Sequence, residues 1–94
     1  MFARKIRVEY EDDGRLEAVP LKWLDSFGMR NFTNDPIFDD TLPVSDGLIE
    51  IGTKVPLQRL QAAMEEWWRR KGYLGRESSI TLTELKEVTA GPAR

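Results

Sequence analysis

The side chains in this chain that best suit catalytic chemistry are its carboxylates, because it contains neither histidine nor cysteine. Without imidazole and thiol, the commonest general base and the thiol nucleophile are missing, and a zinc site of thiolate and imidazole ligands is excluded. No GxxxxGK[ST] or GxGxxG run is present to cradle a phosphate. Oxygen chemistry remains. No Lys or Arg falls between Arg30 and Lys54, whereas Asp35, Asp39, Asp40, Asp46 and Glu50 do. Asp35, Asp39 and Asp46 are the carboxylates that could gather round Mg²⁺ or Ca²⁺. Their spacing does not match an EF-hand loop, and the adjacent Asp39 and Asp40 would diverge on a strand. Turn formation accounts for the same aspartates, since Asp caps helices and makes Asx-turns. The chain therefore reads as non-enzymatic, with no cofactor and no metal expected.

The opposite charge gathers later. From Trp67 to Arg76 the chain carries Arg69, Arg70, Lys71 and Arg76 and no acid, with Trp67, Trp68 and Tyr73 among them. Interleaved rings and cations suit two kinds of partner. Nucleic acid uses both, the rings for stacking and the cations for phosphate. A sequence pI near 5.2 argues against a dedicated nucleic-acid binder. Trp and Arg are also the residues most enriched at the energetic centres of protein interfaces. Trp67 and Trp68 sit about 100° apart on a helix, so one is expected in the core and the other near the rim. The expected partner-binding set is Trp67, Trp68, Arg69, Arg70, Lys71, Tyr73 and Arg76, opposed by the acidic Asp35, Asp39, Asp40 and Asp46. Such opposed patches could also meet in a homodimer.

These residues need a scaffold, and the local patterns supply one. Phe2 to Glu11 alternates: Phe2, Ile6, Val8 and Tyr10 face one way and Lys5, Arg7, Glu9 and Glu11 the other, as on a half-buried strand. Asp13-Gly14 is a two-residue type I′ hairpin turn that sets Val8 opposite Val19, with a return strand over about 15–19. Pro20 ends that strand and opens a short helix over about 21–27, where Leu21, Leu24 and Phe27 recur at helical spacing, with Trp23 beside them. Met29 to Asp46 is irregular but holds Phe32, Ile37, Phe38, Leu42 and Val44, so it is expected to be tied to the core. A short strand near 41–44 returns through Ser45-Asp46-Gly47 to a strand over 48–51.

The strongest pattern is a helix over about 56–71. Leu57, Leu60, Met64 and Trp67 form its apolar stripe, and Trp68 widens it. Pro56 suits the first turn; Arg69, Arg70 and Lys71 suit the last, at the negative end of the dipole. Glu65–Arg69 and Glu66–Arg70 are spaced for i, i+4 ion pairs, and Gly72 for a left-handed stop. Ser79 to about Leu85 reads as a strand, although its alternation fails after Leu82. Residues 89–94 are expected to fray.

The order predicts an α+β, two-layer domain: an antiparallel or mixed sheet of about four strands, covered by one long and one short helix. Ninety-four residues accommodate one domain, and a chain this size buries roughly 60–65% of its unfolded surface. Apolar content of 40% beside 32% charged residues marks a globular composition. The absence of cysteine fits a reducing compartment, and no run approaches a membrane span, so a cytoplasmic protein is expected. The functional expectation is a small protein-binding domain: an accessory or inhibitor protein, of the kind phages and other mobile elements encode, or an assembly subunit. The alternative is a nucleic-acid-associated protein using the basic patch 69–76.

Overall fold

A computed structural model of the chain describes residues 4–28 and 42–85. The expectations for Phe2, for most of the Met29–Asp46 segment including Asp35, Asp39 and Asp40, and for the 89–94 tail lie outside them. The described residues form strands β1 (Arg4–Asp12) and β2 (Arg15–Ala18), helix α1 (Leu21–Gly28), strands β3 (Leu42–Ser45) and β4 (Leu48–Ile51), helix α2 (Leu57–Arg70) and strand β5 (Ser79–Leu85). All four strand pairings are antiparallel. The architecture is α+β, as expected, and its five strands fall on the five segments read as strands in the sequence, against an expected sheet of about four.

The long strand β1 organises the sheet. One edge pairs with β5 from Lys5 to Glu11. The other edge is shared: Arg4 to Arg7 meet β4, and Glu9 to Asp12 meet β2. The β1–β2 turn is the predicted two-residue loop, with Asp13 at φ 58° and Gly14 at φ 81°, both in the left-handed region a type I′ turn requires. Val19 accordingly lies against Val8, its N–H donating to the Val8 carbonyl at 3.0 Å.

Between β2 and β4 the edge of β1 has a gap at Val8, and Gly47 fills it. The Val8 N–H donates to the Gly47 carbonyl at 2.8 Å, and the Gly47 N–H to the Val19 carbonyl at 2.7 Å. Only glycine fits, because φ is 72° and a Cβ would stand 2.8 Å from that of Ala18. The neighbouring Asp46 carboxylate accepts the Leu21 N–H at 2.6 Å. Helix α1 has Pro20 before it and no acid in its first turn, so its N-terminal cap comes from this hairpin turn.

Both helices cover one face of the sheet, α2 over β5 and α1 over β3, and they touch each other. Ile6, Val8, Ile49, Ile51 and Ile80 project from that face and are buried with Leu24 and Phe27 of α1 and Leu60, Met64 and Trp68 of α2. The predicted stripe of α1 is narrower than expected, since Leu21 is exposed. The alternation lost after Leu82 does not end β5: its pairing with β1 runs unbroken to Leu85. No helix of the described residues is long and apolar enough to cross a membrane.

Candidate functional site

Helix α2 positions the site because of how it ends. The buried row is Leu60, Met64 and Trp68, at i, i+4 and i+8. Leu57 and Trp67 flank this row instead of leading it. Pro56 precedes the helix in extended geometry, one residue earlier than its predicted place inside the first turn. At the other end Gly72 has φ 82°. Its N–H donates to the Arg69 carbonyl at 3.1 Å and the Tyr73 N–H to the Trp68 carbonyl at 2.9 Å, the paired bonds of a Schellman stop. The stop turns the chain sharply and brings Tyr73 back beside the helix.

Trp68 has no exposed surface, and its indole N–H donates to the Trp23 carbonyl at 2.9 Å. It therefore has no area to offer a partner, which removes it from the expected binding set. Trp67, turned about 100° away, is only half-buried. Its indole N–H donates to Ser26 Oγ at 3.3 Å, and that hydroxyl donates to the same Trp23 carbonyl at 2.8 Å. Both tryptophans are thus referenced to one peptide group of α1.

Around them an aromatic corner assembles from separate parts of the chain. Tyr10 of β1 lies 4.9 Å from Trp23 of α1, and Tyr73 stacks on Trp23 at 5.4 Å with an interplanar angle of 18°. The Trp23 ring also meets Trp68 at 5.5 Å. Tyr10, Trp23, Trp67 and Tyr73 all remain partly open to solvent. The Lys71 ammonium stands 5.4 Å from the Trp67 ring centroid and 6.0 Å from that of Tyr73, bridging them through cation–π contact. The sequence placed Tyr10 on the core side of its strand but gave no sign that Trp23 would join it at this corner. The signal that could have found it was Trp23 standing just outside the Leu24–Phe27 stripe.

The remaining basic residues do not share this corner. Arg69 faces the connector after α2: its Nη2 donates to the Ser78 carbonyl at 2.7 Å and its Nε to the Gly75 carbonyl at 3.3 Å. The predicted Glu65–Arg69 pair does not form, because Glu65 is also engaged elsewhere, accepting the Ile80 N–H of β5 at 2.9 Å. The predicted Glu66–Arg70 pair does form, at 3.0 Å. Arg76 is exposed, and among the described residues it has no hydrogen-bond or ion-pair partner. Arg69, Arg70 and Arg76 line one open depression of about 650 Å³ on the far flank of α2.

Of the acidic set, Asp46 is engaged as the cap of α1, and Asp35, Asp39 and Asp40 lie outside the described residues. Among the described residues, no three acidic side chains gather as a metal site would require. One arginine that sequence reading missed is Arg4. Its Nη1 donates to the carbonyls of Gly52, Thr53 and Val55, the last at 2.8 Å, and its Nε and Nη2 donate to Glu84. It fastens the connector that leads into α2, at the opposite end of the helix from the aromatic corner. No protein family, curated protein or solved structure matches the chain.

Proposed function

We propose that this is a non-catalytic protein-binding domain whose contact surface is the aromatic corner of Trp67, Lys71, Tyr73, Trp23 and Tyr10. The observation that carries this reading is the convergence of four half-buried rings, drawn from two helices, a strand and a connector, two of which lie beneath one exposed cation. Rigid, amphipathic rings held in place before contact lose little conformational entropy on binding, and they are the groups that anchor protein interfaces. Two of the rings are already engaged within the corner on one face each: Tyr73 is stacked on Trp23, and Lys71 stands over Trp67. Tyr10, Trp23, Trp67 and Tyr73 are held together in a partly open cluster beside an ammonium, an arrangement that suits an apolar side chain or a carbonyl of a protein partner. The arginines of the basic run do not share this corner, and the sequence pI is near 5.2, which favours a protein partner over the nucleic-acid alternative. Accessory, inhibitory and assembly roles are all compatible with such a surface.

The test compares affinity capture from the native host extract by the wild-type protein and by Trp67→Ala, at low and high salt, with and without nuclease. The expected result is a protein that survives nuclease and salt on the wild type and is absent from the folded variant. Equal capture by both forms would reject the corner as the contact surface. Capture abolished by nuclease would transfer the function to nucleic acid.

A further inference from the structure

We infer that the depression on the other flank of α2 is a second docking site, and that its occupant is an acidic peptide segment of a partner protein. Arg69, Arg70 and Arg76 line it with Glu65 and Glu66, and Ala62 and Leu74 are the apolar members of the lining, in a volume of about 650 Å³. Three guanidiniums against two carboxylates leave the lining positive. The glutamates are also partly engaged, Glu66 by Arg70 and Glu65 by the Ile80 N–H. One of the donors is fixed in direction. The Arg69 guanidinium is held by the Gly75 and Ser78 carbonyls, which take two of its five N–H groups and leave three. Arg76, exposed and unpartnered among the described residues, is a bidentate donor for a carboxylate in the same lining.

The mixed lining selects the ligand class. A compact phosphate dianion has no donors to offer Glu65 and Glu66 and would meet them as like charge. An extended peptide carries acceptors and donors together. Its acidic side chains reach the arginines, its backbone N–H groups face Glu65 and Glu66, and one apolar side chain packs on Ala62. None of the aromatic-corner side chains lines this depression, so the inference stands independently of the function proposed above.

Fluorescence anisotropy of a labelled peptide, Glu-Asp-Leu-Glu-Asp-Glu, tests it against the amide control Gln-Asn-Leu-Gln-Asn-Gln, on the full chain. The acidic peptide should bind at least about tenfold more tightly than the control, and Arg76→Glu and Arg70→Glu should each weaken it about tenfold. Circular dichroism checks that both variants remain folded; both side chains are exposed. Trp67→Ala should leave peptide affinity unchanged, which separates failure of this site from failure of the aromatic corner. Equal binding of the two peptides, or affinity indifferent to charge reversal, would overturn the inference. Displacement of the peptide by millimolar inorganic phosphate at constant ionic strength would reassign the depression to phosphate. Self-association in sedimentation, lost on Arg76→Glu, would reassign it to a second copy of the chain.

Discussion

The two flanks of the C-terminal end of α2 are built from adjacent residues and behave differently. Toward α1 lie Trp67 and Lys71, joined by Tyr73, Trp23 and Tyr10 into a ring-rich corner. Toward the 75–78 connector lie Arg69, Arg70 and Arg76, a charged depression with carboxylates among its cations. In the sequence these are one basic run, Arg69-Arg70-Lys71, following a tryptophan pair. In the fold the three cations part company. Arg69 grips the connector, Arg70 pairs with Glu66, and Lys71 covers two rings. The helical step of about 100° per residue disperses what the sequence concentrates. A charge run on a helix is therefore a set of separate positions, and its function must be argued residue by residue.

The two tryptophans carry the largest expected difference. Trp68→Ala removes the largest fully buried side chain and the hydrogen bond to the Trp23 carbonyl. A loss of about 3–5 kcal/mol in urea unfolding is expected. Trp67→Ala, on the half-buried rim, should cost roughly 1 kcal/mol while removing the Lys71 contact. If the two variants lost equal stability, the assignment of one indole to the core and the other to the surface would fail.

Arg69 gives the next largest effect. Arg69→Met keeps the aliphatic stem but deprives the Ser78 carbonyl of the guanidinium donor and leaves the Gly75 carbonyl only the Ser78 N–H. The expected loss is about 1–2 kcal/mol, reduced by the partial exposure of the guanidinium. Hydrogen exchange should quicken over 74–79, while the aromatic corner keeps its near-ultraviolet dichroism. A variant of unchanged stability would return Arg69 to the free surface beside Arg70.

Much of this scaffold was legible because its cues are local. Asp13-Gly14 fixed a register that reaches Val8 and Val19, and Gly72 marked the helix stop, since both depend on φ angles that few residues adopt. Trp68 as the deeper indole was not legible: the apolar pattern admits either row, and packing against α1 decides between them. Arg4 and Glu65 were illegible for a different reason. Each satisfies backbone groups on a segment 15 or more residues away, so no spacing along the chain announces the contact. The candidate site shares that fault. Its cations and Trp67 were visible in one stretch, but Trp23 and Tyr10 reach it through the tertiary fold.

Asp46 separates charge as structure from charge as surface. Its carboxylate caps α1 through the Leu21 N–H. Asp46→Ala should cost about 1 kcal/mol, whereas Asp46→Asn, which retains an acceptor oxygen, should cost only a few tenths. Thermal unfolding of the pair distinguishes cap from charge. If Asn were as damaging as Ala, the carboxylate charge and not the cap would be what matters.

The smallest effect belongs to the pair that the sequence announced most plainly. Glu66 and Arg70 stand in the favoured i, i+4 order and meet at 3.0 Å, yet their side chains remain 67% and 65% exposed. In water such a pair gains little, because solvent screens the attraction and two long side chains lose rotameric freedom in making it. Arg70→Ala should therefore change stability by less than about 0.5 kcal/mol, within the range expected of exposed pairs. Its effect should appear instead in binding at the charged depression, where Arg70 meets a ligand acid and the pair with Glu66 is exchanged for one with the partner. A stability loss near that of Arg69→Met would show the two flanks to be one structural network. A silent unfolding curve with weakened acidic-peptide binding would separate the arginine that holds the fold from the one that faces outward.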